Sequence, residues 1–464
     1  MLTRLRVHGF KNLLHVDVAF GPLTCIAGPN ASGKSNLLDA ISLLSLLADH
    51  PLDEAARRLR APSGGWGDPA ELFWTDGERR ADRIDLSAEM IVPPKVFDDV
   101  GRSAEPAITF LRYDVSLGLA APGDGPGRLV LLSEELRHVR VSDASAHLRF
   151  PHSARSFRAA VVSGRRSGTA FVSTHPLEVA GEGAVPHIHV HQDGGTGAEP
   201  TPTRADRAPR TILSTTTTSA LPTLLAARRE LQAWRRLSLD PARMRRPDRI
   251  DAPAGLAATG AGLAATLADL LARSPDPAAA GAALDAQLGR LADLDGVRVD
   301  PDPGRGVWML RVRERGGHWM PQWALSDGTV RMVALAVLAQ QATQGGVLCL
   351  EEPENGIHPA RLDRVRALLD RVVIDPTRAP GPGNPLHQVL LTTHSPSFVR
   401  MQRDADLLVS TQAPASMPGG PAARALRLRP LAETWRCDAD EPGIPRARLV
   451  ELLSAPVGGQ VGLL

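Results

Sequence analysis

Residues 28–35 read Gly-Pro-Asn-Ala-Ser-Gly-Lys-Ser, which completes the pattern G-x-x-x-x-G-K-[ST]. A loop of this kind joins a buried strand to a helix. Its glycines let the backbone curl until successive N–H groups point at phosphate oxygens, and its lysine adds a positive charge for the β- and γ-phosphates. The flanking residues fit that topology. Leu23 to Ala27 is an apolar strand-like run, and Asn36 to Ala48 has helix-like composition, so the helix aims its positive end at the same anion. The hydroxyl of Ser35 suits Mg²⁺. The chain has 53 Lys and Arg residues, yet only Lys11, Lys34 and Lys95 are lysine, which makes the lysine kept in the loop informative. The expectation is an α/β protein that binds ATP between Gly28 and Ser35.

Three further segments carry chemistry. Val347 to Glu354 reads Val-Leu-Cys-Leu-Glu-Glu-Pro-Glu, an apolar strand that ends in adjacent carboxylates. Beside a phosphate loop, Glu351 would hold the Mg²⁺ hydration shell and Glu352 would orient and deprotonate an attacking water. By itself the same run is a strand ending in a solvated acidic turn. Ala324 to Thr329 reads Ala-Leu-Ser-Asp-Gly-Thr before an apolar helix, Val330–Leu338. Ser326 or Asp327 serves there as a helix cap, or the helix end holds a phosphate. Leu391 to Pro396 reads Leu-Thr-Thr-His-Ser-Pro at the end of an apolar strand, where His394 is either structural or a contact to the γ-phosphate.

The elements in this order resemble the ABC-type ATPase core. More narrowly they resemble the RecF/SMC-like branch, including stand-alone bacterial AAA family ATPases related to the ATPase half of OLD-family nucleases. The carrying residues are Gly9-Phe10-Lys11-Asn12-Leu13, Gly28–Ser35, Leu325–Thr329, the run Leu350–Pro359 (Leu-Glu-Glu-Pro-Glu-Asn-Gly-Ile-His-Pro) and Thr392–Pro396. The resemblance implies an ABC-type P-loop NTPase head with a mixed sheet, plus an inserted α/β and helical lobe. It implies a nucleotide site of Lys11, Asn12, Gly28, Pro29, Asn30, Ala31, Ser32, Gly33, Lys34, Ser35 and Asn36, with Ser326, Asp327 and Gly328 supplied by a second copy. Glu352, His394 and Lys34 take the catalytic roles, Ser35 and Glu351 the metal. Two heads would sandwich two ATP molecules as a homodimer, with Asn355 and His358 near the seam, and hydrolysis would release them. The long coiled-coil arms of SMC proteins, a confident glutamine-loop residue and a C-terminal Toprim domain are not found. If a nuclease belongs to this system it is expected as a separate chain, and the ATPase is expected to act on DNA or to control a partner effector, in DNA repair or phage defence.

The expected organisation is a discontinuous core of residues 1–50 and 305–412. A strand-rich insertion follows at 51–210, with a flexible loop near 193–210, then a helical lobe at 211–304 and a tail at 413–464. Ile84, Leu86, Ala88, Met90 and Val92 alternate along one strand face. Helices are expected over 221–237, 256–272, 278–294, 326–344 and 360–373, and a hairpin over 307–313 and 318–325. Arg228, Arg229, Arg235, Arg236, Arg243, Arg245, Arg246 and Arg249 surround Trp234, which suits a DNA-contacting patch or simply the exposed faces of an arginine-rich chain. His187, His189 and His191 share a strand face and are solvated or bind a metal.

Composition restricts the alternatives. A net charge of +2 does not by itself call for a nucleic-acid partner. Three cysteines build no disulfide framework. No apolar run approaches the roughly 20 residues of a membrane helix, and the N-terminus opens on a strand-like segment rather than a signal peptide. A cytoplasmic protein without a membrane is expected. A transporter ATPase subunit fits less well, because a long interval separates Lys34 from Ser326. A non-catalytic ATP-switched scaffold remains the other reading.

Overall fold

The computed structural model describes residues 1–59, 68–120, 127–164, 170–193, 201–341, 345–438 and 442–454. Its centre is a six-stranded sheet in the order Trp234–Leu237, Gly346–Glu351, His387–Thr393, Leu23–Ala27, Leu407–Ala415 and Ala423–Pro430. The first five strands are parallel and the last is antiparallel. Leu23–Ala27 and His387–Thr393 are buried along their whole lengths. That explains their unbroken apolar composition, since a parallel sheet is covered on both faces. Ile26, Cys349, Leu390 and Leu408 enter one core with the helix Lys34–Leu47. Cys25, Leu348, Leu350 and Leu391 enter the other, with the helices Asp327–Gln341 and Leu362–Val372.

An eight-stranded antiparallel sheet lies over the first of these cores. Its order is Thr203–Arg204, Gly183–Val190, Val172–Val179, Leu129–His138, Phe110–Leu119, Arg83–Ile91, Leu2–Phe10 and Leu13–Ala19. Ile84, Leu86, Ala88, Met90 and Val92 are all buried, as their alternation predicts. A smaller sheet contains Asp248–Arg249, Val307–Glu314, Leu294–Asp302 and Trp319–Pro321.

Some elements differ from the sequence reading. The helix expected over 221–237 stops at Gln232, and Trp234–Leu237 is a strand paired parallel to Gly346–Glu351. Leu231 and Trp234 continue a helical spacing, but pairing with the buried acidic strand outweighs that local pattern. The helix expected from residue 256 begins at Leu263, because Gly260 and Gly262 adopt positive φ. The hairpin pairs Arg311–Arg313 with Trp319–Pro321, and Gln322–Ala324 is a 3₁₀ turn rather than strand. Strands of the 51–210 segment pair onto Leu2–Phe10, and Ala423–Pro430 of the 413–464 segment closes the central sheet. Within 193–210, residues 194–200 lie outside the described residues, while Thr203–Arg204 is a strand.

Candidate nucleotide site

In a parallel sheet, the loops that leave the carboxyl ends of the strands converge on one edge, the usual place for a ligand. Here that edge collects the turns after Ala27, Leu237, Glu351 and Thr393. They enclose a cleft of about 590 Å³ lined by Asn30, Ala31, Gly33, Lys34, Ser35, Asn36, Ser238, Leu239, Arg331, Glu351, Glu352, Asn355 and Thr392.

The loop is held from below. Gly28 N donates to Thr393 O at 3.2 Å. Ser410 Oγ lies 2.8 Å from Ser32 Oγ and donates to Ala27 O at 3.3 Å, while Gln412 donates to Ala31 O at 2.6 Å. A Cβ at Gly28 would come within 2.1 Å of Ser410 Oγ, so the close approach of this strand requires glycine. Gly33 has φ of +106° and packs on Asn12, whose Oδ1 accepts from Asn36 at 2.7 Å. Lys34 is 6% exposed and donates to the carbonyls of Gly28 and Pro29 at 2.7 and 2.8 Å. Burial lowers the pKa of its ammonium, and the charges of Glu352, Glu354 and Glu351 work in the opposite direction.

The carboxylates are placed individually. Glu351 accepts from Arg236 at 2.7 Å, and Arg236 also pairs with Asp39 of the phosphate-loop helix. Asp39 is fully buried and takes a second cation, Lys11, at 2.6 Å. Burial opposes the charge of Arg236, but Asp39 and Glu351 outweigh it and its pKa is raised. Glu352 has φ of +45°, uncommon for a residue with a side chain, and its Oε1 lies 2.7 Å from His394 Nδ1. Such strain persists where the surroundings over-determine it. Here Glu352 N donates to Thr392 O at 3.0 Å, and Asn355 N donates back to Glu352 O at 3.0 Å.

The structure thus brings Asn30, Ala31, Gly33, Lys34, Ser35, Asn36, Glu351 and Glu352 to one cleft, with His394 fastened to Glu352. Lys11 and Asn12 stand behind the loop. Ser326, Asp327 and Gly328 do not line the cleft of their own chain. Ser326 Oγ accepts from Thr329 N at 3.2 Å as a helix cap, Asp327 pairs with Arg245, and Gly328 packs where a Cβ would lie 2.7 Å from Gly356 O.

Several contributors were not legible in the sequence. Ser410 and Gln412 reach the loop from a strand hundreds of residues away, and nothing local marks them. Arg331 donates to Asn355 O at 2.6 Å and to Leu239 O, linking the serine-capped helix to the cleft wall. Asp39 had a usable signal, since an acid inside the apolar run Leu37–Leu44 calls for a partner.

The expected arginine patch is dispersed. Arg228 is buried against Ala48 O, Thr216 O and Asp49. Arg229 pairs with Asp99, Arg245 with Asp327 and Arg249 with Asp251. Trp234 is 4% exposed. The eight arginines spread over two helices, two strands and the turns between them, and several of them hold internal partners of their own. His187, His189 and His191 hydrogen-bond or stack within the sheet, and among the described residues no group of three or more His, Cys, Asp or Glu side chains is arranged to hold a metal.

Residues 191–400 match a family model described as "AAA domain, putative AbiEii toxin, Type IV TA system", and residues 4–49 match one described as "AAA domain". An OLD nuclease of Thermus scotoductus is 50% identical over 44 residues, covering 10% of this chain and 8% of that protein. A DNA replication and repair protein RecF of Magnetococcus marinus is 51% identical over 45 residues, covering 10% of this chain and 12% of that one. The matches therefore span about a tenth of the relatives' own lengths. Among solved structures, an SmcHead bound to the C-winged helix domain of ScpA aligns at 14% identity and a TM-score of 0.47, over 92% of this chain and 98% of that one. The SMC head domain from Thermotoga maritima aligns at 12% identity and a TM-score of 0.39, over 93% and 98%. The phosphate loop between strand and helix, the mixed α/β sheets and the two AAA-domain matches make the chain similar to P-loop ATPases with AAA domains, and short stretches of it are similar to RecF and to an OLD nuclease. Among the described residues no helix is long and apolar enough to cross a membrane.

Proposed function

We propose that the chain hydrolyses ATP to ADP and phosphate, and that ATP joins two copies head to head. The observation that carries this reading is the Glu352–His394 contact of 2.7 Å at the wall of the phosphate-loop cleft. Glu352 takes the proton of the attacking water, and His394 holds that carboxylate in place and contacts the γ-phosphate. Lys34 and the N–H groups of residues 29–36 bind the phosphates. Ser35 and Glu351 both line the cleft, and their hydroxyl and carboxylate oxygens suit a hard divalent cation. They would hold Mg²⁺, which supplies charge neutralisation along the phosphates. The exposed Ser326 helix end, standing apart from its own cleft, supports a composite site in which it meets the nucleotide of a second copy.

DNA, or a separate nuclease or effector chain, is the proposed partner, in repair or phage defence. Support comes from relatives named as an OLD nuclease and a DNA replication and repair protein, and from the toxin description of the matched family model. Glu352→Gln tests the core of the reading. The variant is expected to bind ATP, to lose turnover by about 100-fold or more, and to sediment as a dimer with ATP. Full turnover in Glu352→Gln would overturn the assignment. Comparing turnover with and without DNA separates a DNA-responsive enzyme from one that answers to another chain.

A further inference from the structure

The acidic turn contains a carboxyl for which the hydrolytic scheme has no use. Glu354 is 5% exposed, and among the described residues its Oε2 has no hydrogen-bond partner. A buried polar atom left unpaired costs about 1–3 kcal/mol, so its presence asks for a reason. The other oxygen supplies one. Thr393 Oγ1 donates to Glu354 Oε1, and the same hydroxyl accepts from Ser395 N at 3.0 Å. Thr393 and Ser395 are the two neighbours of His394, and both are fastened to Glu354 through one hydroxyl. On the opposite side of the turn, Glu352 N is fixed to Thr392 O at 3.0 Å. The acidic turn and the end of the histidine strand are thus stapled twice, once through the main chain and once through Glu354.

We propose that Glu354 is a positioning residue for the Glu352–His394 pair: through the Thr393 hydroxyl, its carboxyl fixes the strand end on which His394 stands. This rests on the hydrolytic reading above. Thr393 can spend its only proton on Glu354 because its oxygen already accepts from Ser395. Burial raises the pKa of this acid to about 7, with Glu352 adding to the rise and the Thr393 bond and His394 opposing it, so that it is neutral below that pH. The charged or titratable groups around it are Glu352 on its own turn, His394 after the neighbouring strand, Cys25 on the phosphate-loop strand, Lys34 on the helix that follows the loop, and Arg331 on the serine-capped helix. As pH rises through about 7, ionisation sets a second buried anion beside Glu352; the Thr393 bond strengthens, but repulsion between the two carboxylates displaces Glu352 from His394.

Two variants test this. Glu354→Ala removes the staple and is expected to lower kcat for ATP about 10- to 100-fold through misplacement of the pair, with KM unchanged. Glu354→Gln offers Thr393 the same acceptor and cannot ionise. It is expected to restore kcat at pH 6 and to lack the decline that the wild-type protein shows above pH of about 7. Wild-type kcat in Glu354→Ala, or a wild-type pH profile in Glu354→Gln, overturns the proposal. If Glu354→Ala fails to fold in a thermal melt, the profile of Glu354→Gln decides alone. Glu352→Gln, run alongside, separates the two levels. If it turns over ATP normally, the hydrolytic reading fails; if it is inactive while Glu354→Ala is normal, only the positioning role fails.

Discussion

At the scale of single residues, the phosphate loop combines positions with no tolerance and positions with ample room. Gly33 needs its φ of +106°, and a Cβ there would meet Asn12 Nδ2 at 2.3 Å. Gly33→Ala is therefore expected to cost about 1–3 kcal/mol of stability and to abolish ATP binding, as read by denaturant melts and nucleotide titration. Gly281 is the contrasting case. It lies within the helix Pro277–Ala292, and a Cβ would meet nothing within 4 Å. Gly281→Ala is expected to stabilise by about 0.5–1 kcal/mol, because alanine loses less backbone entropy on entering a helix. Both positions are glycine in the sequence, and the opposite signs come from their surroundings.

At the scale of elements, Glu134 joins three of them. It lies fully buried on Leu129–His138 and accepts from Tyr113 Oη on the adjacent strand at 3.0 Å. It also accepts from Ile212 N and Leu213 N at 2.6 and 3.0 Å, at the start of the short helix Ile212–Thr215. Burial raises its pKa to about 7, while those donors oppose the rise. The folded protein therefore keeps this proton at a pH where the unfolded chain has lost it. The resulting stability is fully present below the ordinary carboxyl range and disappears as pH rises through about 7. Glu354 contributes with the same sign. Wild-type stability in denaturant melts is expected to fall between pH 5 and pH of about 7, and the slope to shrink in Glu134→Gln. That variant also strands one of the donors, at a cost of about 1–3 kcal/mol. Element types were legible where periodicity was long, as in Arg83–Ile91 and Asp327–Gln341. They were misread where four residues, Trp234–Leu237, follow a helix without punctuation and only pairing makes them strand.

At the scale of the whole molecule, the proposed composite site makes the two halves of the chemistry separable. Ser326→Arg is expected to leave ATP affinity of the monomer unchanged, because Ser326 does not line its own cleft, and to abolish ATP-dependent dimers and turnover. Lys34→Ala is expected to lose ATP binding itself. Mixing the two inactive variants should restore part of the turnover, since one of the two sites in a mixed dimer is intact. Sedimentation and a phosphate-release assay would check this, and no recovery on mixing would count against the shared site. The sequence by itself determined the parts whose conformation is local: the loop Gly28–Ser35, the acidic end of its apolar strand and the histidine that ends another. Glycine, proline and apolar spacing dictate such backbones within a few residues. Tertiary structure alone decided which strands share a sheet, that Arg236 sits between Asp39 and Glu351, and that Ser410 and Gln412 brace the loop. Those contacts join residues far apart in the chain, and their partners are chosen by burial and charge pairing, which no local pattern encodes.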